Sequence, residues 1–146
     1  MPEVDRRSVD FPVPADVAFD YLVDPANRSQ WQSSLRRVEA VEPTEPGVGQ
    51  TWIDVTSPGM RPAMETTVYE RATTWTERGT WRGISAELTL RFVPRAGGCT
   101  VTAEARVHGR GLLRPVGPVI TAAARFAVPG DLTRAAKILS LQHKSA

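Results

Sequence analysis

Two segments late in the chain constrain the fold more than any others. In ISAELTLRF (84–92), Ile84, Ala86, Leu88, Leu90 and Phe92 alternate with Ser85, Glu87, Thr89 and Arg91. In CTVTAEARV (99–107), Cys99, Val101, Ala103, Ala105 and Val107 alternate with polar residues in the same way. A period of two places one set on each face of a strand. The intervening PRAGG (94–98) supplies the turn, so the segments pair as an antiparallel hairpin with one apolar and one polar face. Something must cover the apolar face, and a suitable element follows at once. Between Leu112 and Gln142, Val116, Val119, Ile120, Ala123, Ala124 and Ala127 recur at helical spacing and form an apolar stripe. Pro129-Gly130 interrupts it, which predicts a kink or a break into two helices. Asp131 would then cap the second, and Leu132, Ala135, Ala136, Ile138 and Leu139 would continue the apolar face.

Upstream come further extended segments bounded by Gly, Pro and polar turn residues, Leu35 to Val41, TWIDVTS, AMETTVYER and TTWTERGTW, so that with the hairpin the strand pattern runs for about seventy residues. Before them, Val9 and Phe11 mark a first strand within residues 3–11, ended by Pro12 and Pro14. PADVAFDYLVD then reads as a short amphipathic helix, with Asp16 in the first turn where an anion suits the helix dipole. Asp24-Pro25 ends it, and a second short helix presents Trp31. The expectation is an α+β chain: about six or seven antiparallel strands, two short helices after the first strand, and a long C-terminal helix. With 146 residues it suits one domain, 1–146.

Cys99 is the only cysteine, so no intrachain disulfide is available, and with His108 and His143 it is too little for a Cys/His zinc site. No metal and no cofactor is expected. There is no apolar run of membrane-spanning length and no secretory-type N-terminus, which suggests a cytoplasmic protein. Net charge is only +2, but the tail is basic: residues 105–146 hold Arg106, Arg110, Arg114, Arg125, Arg134, Lys137 and Lys144 against Asp131 alone. Cations also complement a helix C-terminus, and with Phe126 the single aromatic residue among them the tail lacks the repeated stacking rings that single-strand binders require. No nucleic-acid partner is therefore expected.

The candidate chemistry centres on the tryptophans. Trp75 and Trp81 share a strand face with Glu77 and Gly79, and by the same parity Trp52 goes with Asp54, and Met64 with Thr66 and Val68. If that face is concave, indoles and a carboxylate line a pocket, and desolvation lifts the pKa of Glu77 toward a useful acid–base range. Alternatively the indoles are core and Glu77 is solvated. Ala103 and Ala105 are small for inward positions and leave space for a bulky helix residue or for a ligand. His108 lies near the crossover to the last helix as a possible base or an ordinary loop histidine. The Gly-x-Gly pairs at Gly47/Gly49 and Gly109/Gly111 lack a phosphate-binding context, and there is no nucleophile elbow. Parity places Leu88, Leu90, Val101, Ala103 and Ala105 on the concave face, opposite Val116, Ile120 and Ala123.

Four motifs in order extend this reading over nearly the whole chain: FPVPADVAFDYLVDPANRSQW (11–31), GVGQTW (47–52), YERATTW (69–75) and GGCTVT (97–102). Together they resemble the START-like, helix-grip superfamily (SRPBCC) of polyketide cyclases, dehydratases and lipid transport proteins. DLTRAAKIL departs from that pattern, with Ala135 and Ala136 where Leu is usual. The resemblance implies a curved sheet wrapped around the long helix and an apolar cavity between them. The function it implies is binding, as carrier or sensor, of a small hydrophobic molecule such as a lipid, polyketide or aromatic. Trp31, Met64, Trp75, Trp81, Leu88, Leu90, Val101, Ala103, Ala105, Val116, Ile120 and Ala123 are the expected lining. The alternative is a cyclase- or dehydratase-like enzyme moving protons through Glu77, Asp54 or His108, and a third possibility is an interaction module using the basic last helix.

Overall fold

Residues 84–109 form the hairpin that their alternation predicts. In the computed structural model, strands β6 (Ile84–Arg95) and β7 (Gly98–Gly109) pair from Ile84 against Gly109 to Arg95 against Gly98. The structure describes the backbone of residues 5–57, 59–114 and 116–145, and the side chains of 7–57, 59–112, 114 and 128–143. The other strands are β1 (Asp5–Phe11), β2 (Leu35–Glu42), β3 (Thr51–Thr56), β4 (Ala63–Glu70) and β5 (Thr74–Trp81). They make one antiparallel sheet in the order β1-β7-β6-β5-β4-β3-β2, so only β1 leaves sequence order, crossing to lie beside β7.

Helix α1 (Ala15–Val23) and helix α2 (Arg28–Trp31) follow β1, joined by a 3-10 turn at Pro25–Asn27. Asp24 caps that turn by accepting the Ala26 N–H at 3.0 Å, which is the physical role of the Asp-Pro pair. A second 3-10 turn, Gly111–Leu113, leads into α3 (Val116–Ser145). This is the helix-grip arrangement, a curved seven-stranded antiparallel sheet with a long C-terminal helix and short helices after the first strand.

Helix α3 packs on β1 and β7, and α1 packs on β6 and β7. Between them lies a closed core that includes Phe11, Phe19, Leu22, Leu90, Val101 and Leu132. The ring of Phe19 meets Tyr69 and Phe92 edge-on, each at 5.1 Å. Ala103 and Ala135 are buried in the same cluster where α3 packs on β7, so protein fills the space at Ala103, while Ala105 is half-buried outside that cluster. Ala135 is fully buried: small side chains on both surfaces let helix and sheet approach closely.

Two local expectations need correction. Of the two alternatives at Pro129, the break into two helices does not occur: helix α3 runs unbroken through it. A proline in a helix interior costs about 3 kcal/mol, whereas burying a leucine gains about 1.5–3 kcal/mol; Leu132, Ala135, Ala136 and Leu139 are all buried beyond it. The Thr133 hydroxyl also donates to the Pro129 carbonyl at 2.8 Å. Asp131 caps no second helix; its carboxylate accepts the Ser33 N–H at 3.2 Å and ties α3 to the segment after α2. In β4, the register shifts between Thr66 and Val68, so parity changes there. Tyr69, not Val68, shares the concave face with Met64 and Thr66, and this brings its ring to Phe19.

Candidate functional site

Where α3 and α1 leave the concave face uncovered among the described residues, a cross-strand row runs Trp52, Met64, Gly79, Ala86, Val107. Gly79 and Ala86 lie at its middle and leave a hollow. A Cβ at position 79 would come within 2.7 Å of the Met64 sulfur, so the thioether occupies the space that glycine yields. The resulting cavity has a volume of about 270 Å³, at the lower edge of the ~300–1,000 Å³ usual for small-molecule sites. Its apolar wall includes Met64, Trp81, Ile84, Ala86 and Val107, and it reaches the surface beside Met60, which is 41% exposed.

The polar floor comes from three elements. Asp54 on β3 and Glu77 on β5 point to the concave side by strand parity, and Arg28 enters between them from α2. Its guanidinium donates from Nε to Asp54 Oδ1 at 3.1 Å and from Nη2 to Asp54 Oδ2 at 2.6 Å, a bidentate fork. Nη1 donates to Glu77 Oε2 at 2.6 Å. The Trp52 indole N–H donates to Asp54 Oδ1 at 2.9 Å, and the guanidinium lies over the Trp52 ring at 5.0 Å. The Arg28 side chain is 2% exposed and those of Asp54 and Glu77 are 7% and 8% exposed. Charges this buried persist only when paired and hydrogen-bonded, and these are.

Burial works against the charge on Arg28, but the two carboxylates more than offset it and hold the guanidinium protonated well above its ordinary range. Glu77 is shifted upward, chiefly because burial removes its carboxylate from water; Arg28 opposes that and the nearby Asp54 charge adds to it. Glu77 therefore takes up a proton more readily than an exposed glutamate, and its Oε1 has no protein partner among the described residues. Such a group can accept a hydrogen bond from a bound molecule or exchange a proton with it.

Of the residues that sequence reading selected, Asp54, Met64, Glu77 and Trp81 come together around this cavity. Trp31, Trp75, Leu90, Val101 and Ala103 do not line it: each is buried in the closed core, where protein atoms fill the space. Leu88 packs against that core, and Ala105 stands beside it in register, half-buried. His108 is exposed on the opposite face of β7 from Val107 and cannot reach the floor. The side chains of Val116, Ile120 and Ala123 lie outside the described residues. The helical wall among the described residues is α2, through Arg28 and Gln32.

Arg28 is the candidate-site residue that the sequence reading did not select. It stands three residues before Trp31, on the same helix face, so burial of the indole already implied burial of the guanidinium. A larger hollow of about 520 Å³ crosses the convex side of β2–β5, but its rim of Glu42, Glu65, Arg78 and Thr80 is exposed and holds no buried polar group. Among the described residues no group of three or more His, Cys, Asp or Glu side chains is placed to hold a metal ion. Nor is any helix there long and apolar enough to cross a membrane.

Comparison with known proteins agrees with this architecture. A protein from Mesorhizobium loti superposes with a TM-score of 0.76 at 15% identity, over 94% of this chain and 97% of that one. The di-domain ARO/CYC StfQ from the steffimycin biosynthetic pathway gives 0.75 at 14% identity, over 98% of this chain and 52% of the larger protein. Truncated norcoclaurine synthase from Thalictrum flavum gives 0.71 at 15% identity, over 95% and 94%. At these identities the likeness is one of fold. Among curated proteins none matches the sequence. The sequence model for polyketide cyclase / dehydrase and lipid transport proteins matches residues 3–141, and the chain belongs to that family.

Proposed function

We propose that the protein binds a small, mainly apolar molecule in the cavity between α2 and strands β3–β7, as a carrier or sensor. One observation carries this reading: an apolar hollow closed on one side by a fixed, buried Arg28–Asp54–Glu77 cluster. Apolar walls supply affinity by removing ligand surface from water, and a few placed polar groups orient what enters. At ~25 cal/mol/Å², a ligand burying about 300 Å² gains roughly 7 kcal/mol before association costs, which points to micromolar or weaker binding. Lipid-like, polyketide and aromatic molecules all suit such walls, and a cytoplasmic setting accords with the lone free cysteine.

A second reading is supported by Glu77. A carboxyl with heightened proton affinity and one oxygen toward the cavity suits a cyclase- or dehydratase-like proton transfer, with Arg28 holding it in place. The third sequence possibility, an interaction module using the basic last helix, gains no support from this site.

Native mass spectrometry of the purified protein tests the binding reading. The expected result is an adduct, or uptake of a neutral solvatochromic dye, that Ala86→Phe removes by filling the hollow. Dye uptake unchanged by that substitution places the ligand elsewhere and refutes the reading. For the enzymatic alternative, Glu77→Gln should abolish turnover of a bound polyketone while leaving its binding intact.

A further inference from the structure

A buried arginine in an apolar cavity suggests an anchor for an acid headgroup, but the donors of Arg28 are already taken. Nε and one N–H of Nη2 hold Asp54 and one N–H of Nη1 holds Glu77; the second N–H of Nη1 and of Nη2 face the Gln32 side-chain amide, whose oxygen, in the orientation that satisfies both its ends, accepts from them at 3.3 and 3.2 Å. The guanidinium carbon also lies over the Trp52 ring, 5.0 Å from its centre. Two carboxylates meet one guanidinium, so at neutral pH the floor is not positive: it carries one negative charge, or none if Glu77 holds a proton. Arg28 is the only cation among the described lining residues. Of the oxygens in the charged cluster, Glu77 Oε1 is the one left without a protein partner among the described residues, on a side chain that lines the cavity, and it is an acceptor when ionised.

From this geometry we propose that the cavity selects molecules whose apolar body carries a hydrogen-bond donor, a hydroxyl or an ammonium group, and turns away carboxylates. The inference rests on the binding reading above and names the ligand class of that same site. A hydroxyl entering along the wall of Met64, Trp81 and Ile84 donates a hydrogen bond to Glu77 Oε1 and satisfies the one open oxygen of the cluster. An ammonium group does the same and balances the net negative charge. A carboxylate finds no free donor on Arg28, loses its hydration, and is placed beside another carboxylate; such like-charge contact is strongly unfavourable in a water-poor site. The Ser34 and Thr56 hydroxyls, also in the lining, are neutral and cannot substitute for a cation.

Three probes of one chain length separate the cases: 1-octanol, octylamine and octanoate, each displacing a neutral solvatochromic dye at neutral pH. The expected result is displacement by octanol and octylamine, with octanoate at least about tenfold weaker, as like-charge contact in a desolvated site requires. Octanoate binding as well as or better than octanol overturns the inference while leaving the binding reading intact. If none of the three displaces the dye, or the dye does not bind, the binding reading itself is overturned. Glu77→Gln removes the carboxylate but keeps an oxygen for Arg28 Nη1, so the gap between octanoate and octanol should narrow severalfold. A gap unchanged in that variant assigns the discrimination to another group and also overturns the inference.

Discussion

Replacing Arg28 with methionine tests the central claim that three charges are buried together. Methionine keeps much of the aliphatic volume but leaves Asp54 and Glu77, 7% and 8% exposed, without the guanidinium that both oppose. Breaking a buried ion pair from one side costs about 3–5 kcal/mol, because uncompensated charge stays largely withdrawn from water. For a domain near this size 1 kcal/mol shifts the melting temperature by roughly 2–4 °C, so a fall of about 6–20 °C is expected. Urea denaturation at neutral pH gives the free energy directly. Acidification should shrink the deficit, since protonation removes the repulsion between the two carboxyls. Combining Arg28→Met with Asp54→Asn and Glu77→Gln should recover most of the loss: neutral amides carry no charge to strand, and the Trp52 N–H keeps an acceptor. A deficit below about 1 kcal/mol, or a triple variant no more stable than the single one, refutes the reasoning, since an exposed pair is worth that little.

Three further outcomes follow from other parts of the structure. Because burial, above all, raises the pKa of Glu77 in the folded chain, the group favours folding fully below its unfolded value and loses that contribution as pH rises through the folded one. Comparing urea midpoints across pH, the wild type should lose stability relative to Glu77→Gln as pH rises from acid to neutral, and a parallel pair of curves would contradict this. Gly79→Ala should displace the flexible end of Met64 into the cavity, weakening dye binding severalfold while stability changes by less than about 1 kcal/mol. Gly98→Ala differs in kind. Its Cβ would collide with the Phe11 backbone carbonyl where β1 joins β7, and backbone cannot step aside. A loss above about 2 kcal/mol, read by urea denaturation, is expected.

Much of the fold was legible because its longest strands obey one rule throughout. β6 and β7 keep period-two alternation over their paired length, and β5 holds Trp75, Glu77, Gly79 and Trp81 on one face. Parity fails where a backbone irregularity adds a residue: β4 gives no composition signal for the shift before Val68, so parity assigns Val68 the face that Tyr69 takes. Pro129 misled for a different reason. Local propensity argued for a break, but tertiary burial of Leu132 and Leu139 overrode it. The site was half legible. Asp54 and Glu77 could be assigned a face from their own strands, whereas their meeting depends on which strands pair and on a four-residue helix that carries Arg28 across to them. Core and cavity were also confused, as with Trp75 against Trp81, because both lie on the same face of one strand. What separates them is how far along the sheet α1 and α3 extend, and no local pattern encodes that.

The row from Trp52 to Val107 has a consequence for how such a protein can diversify. Its capacity is set where glycine and alanine stand between larger neighbours, with the strands themselves continuous and regularly paired at both positions. Exchanging side chains at 79 and 86 therefore resizes the chamber without redrawing any backbone. Met64, unbranched and deformable, absorbs small mismatches from the next strand. A lineage built on this sheet can move from one guest to another by single substitutions, each nearly silent in folding, while the closed core under α3 stays untouched.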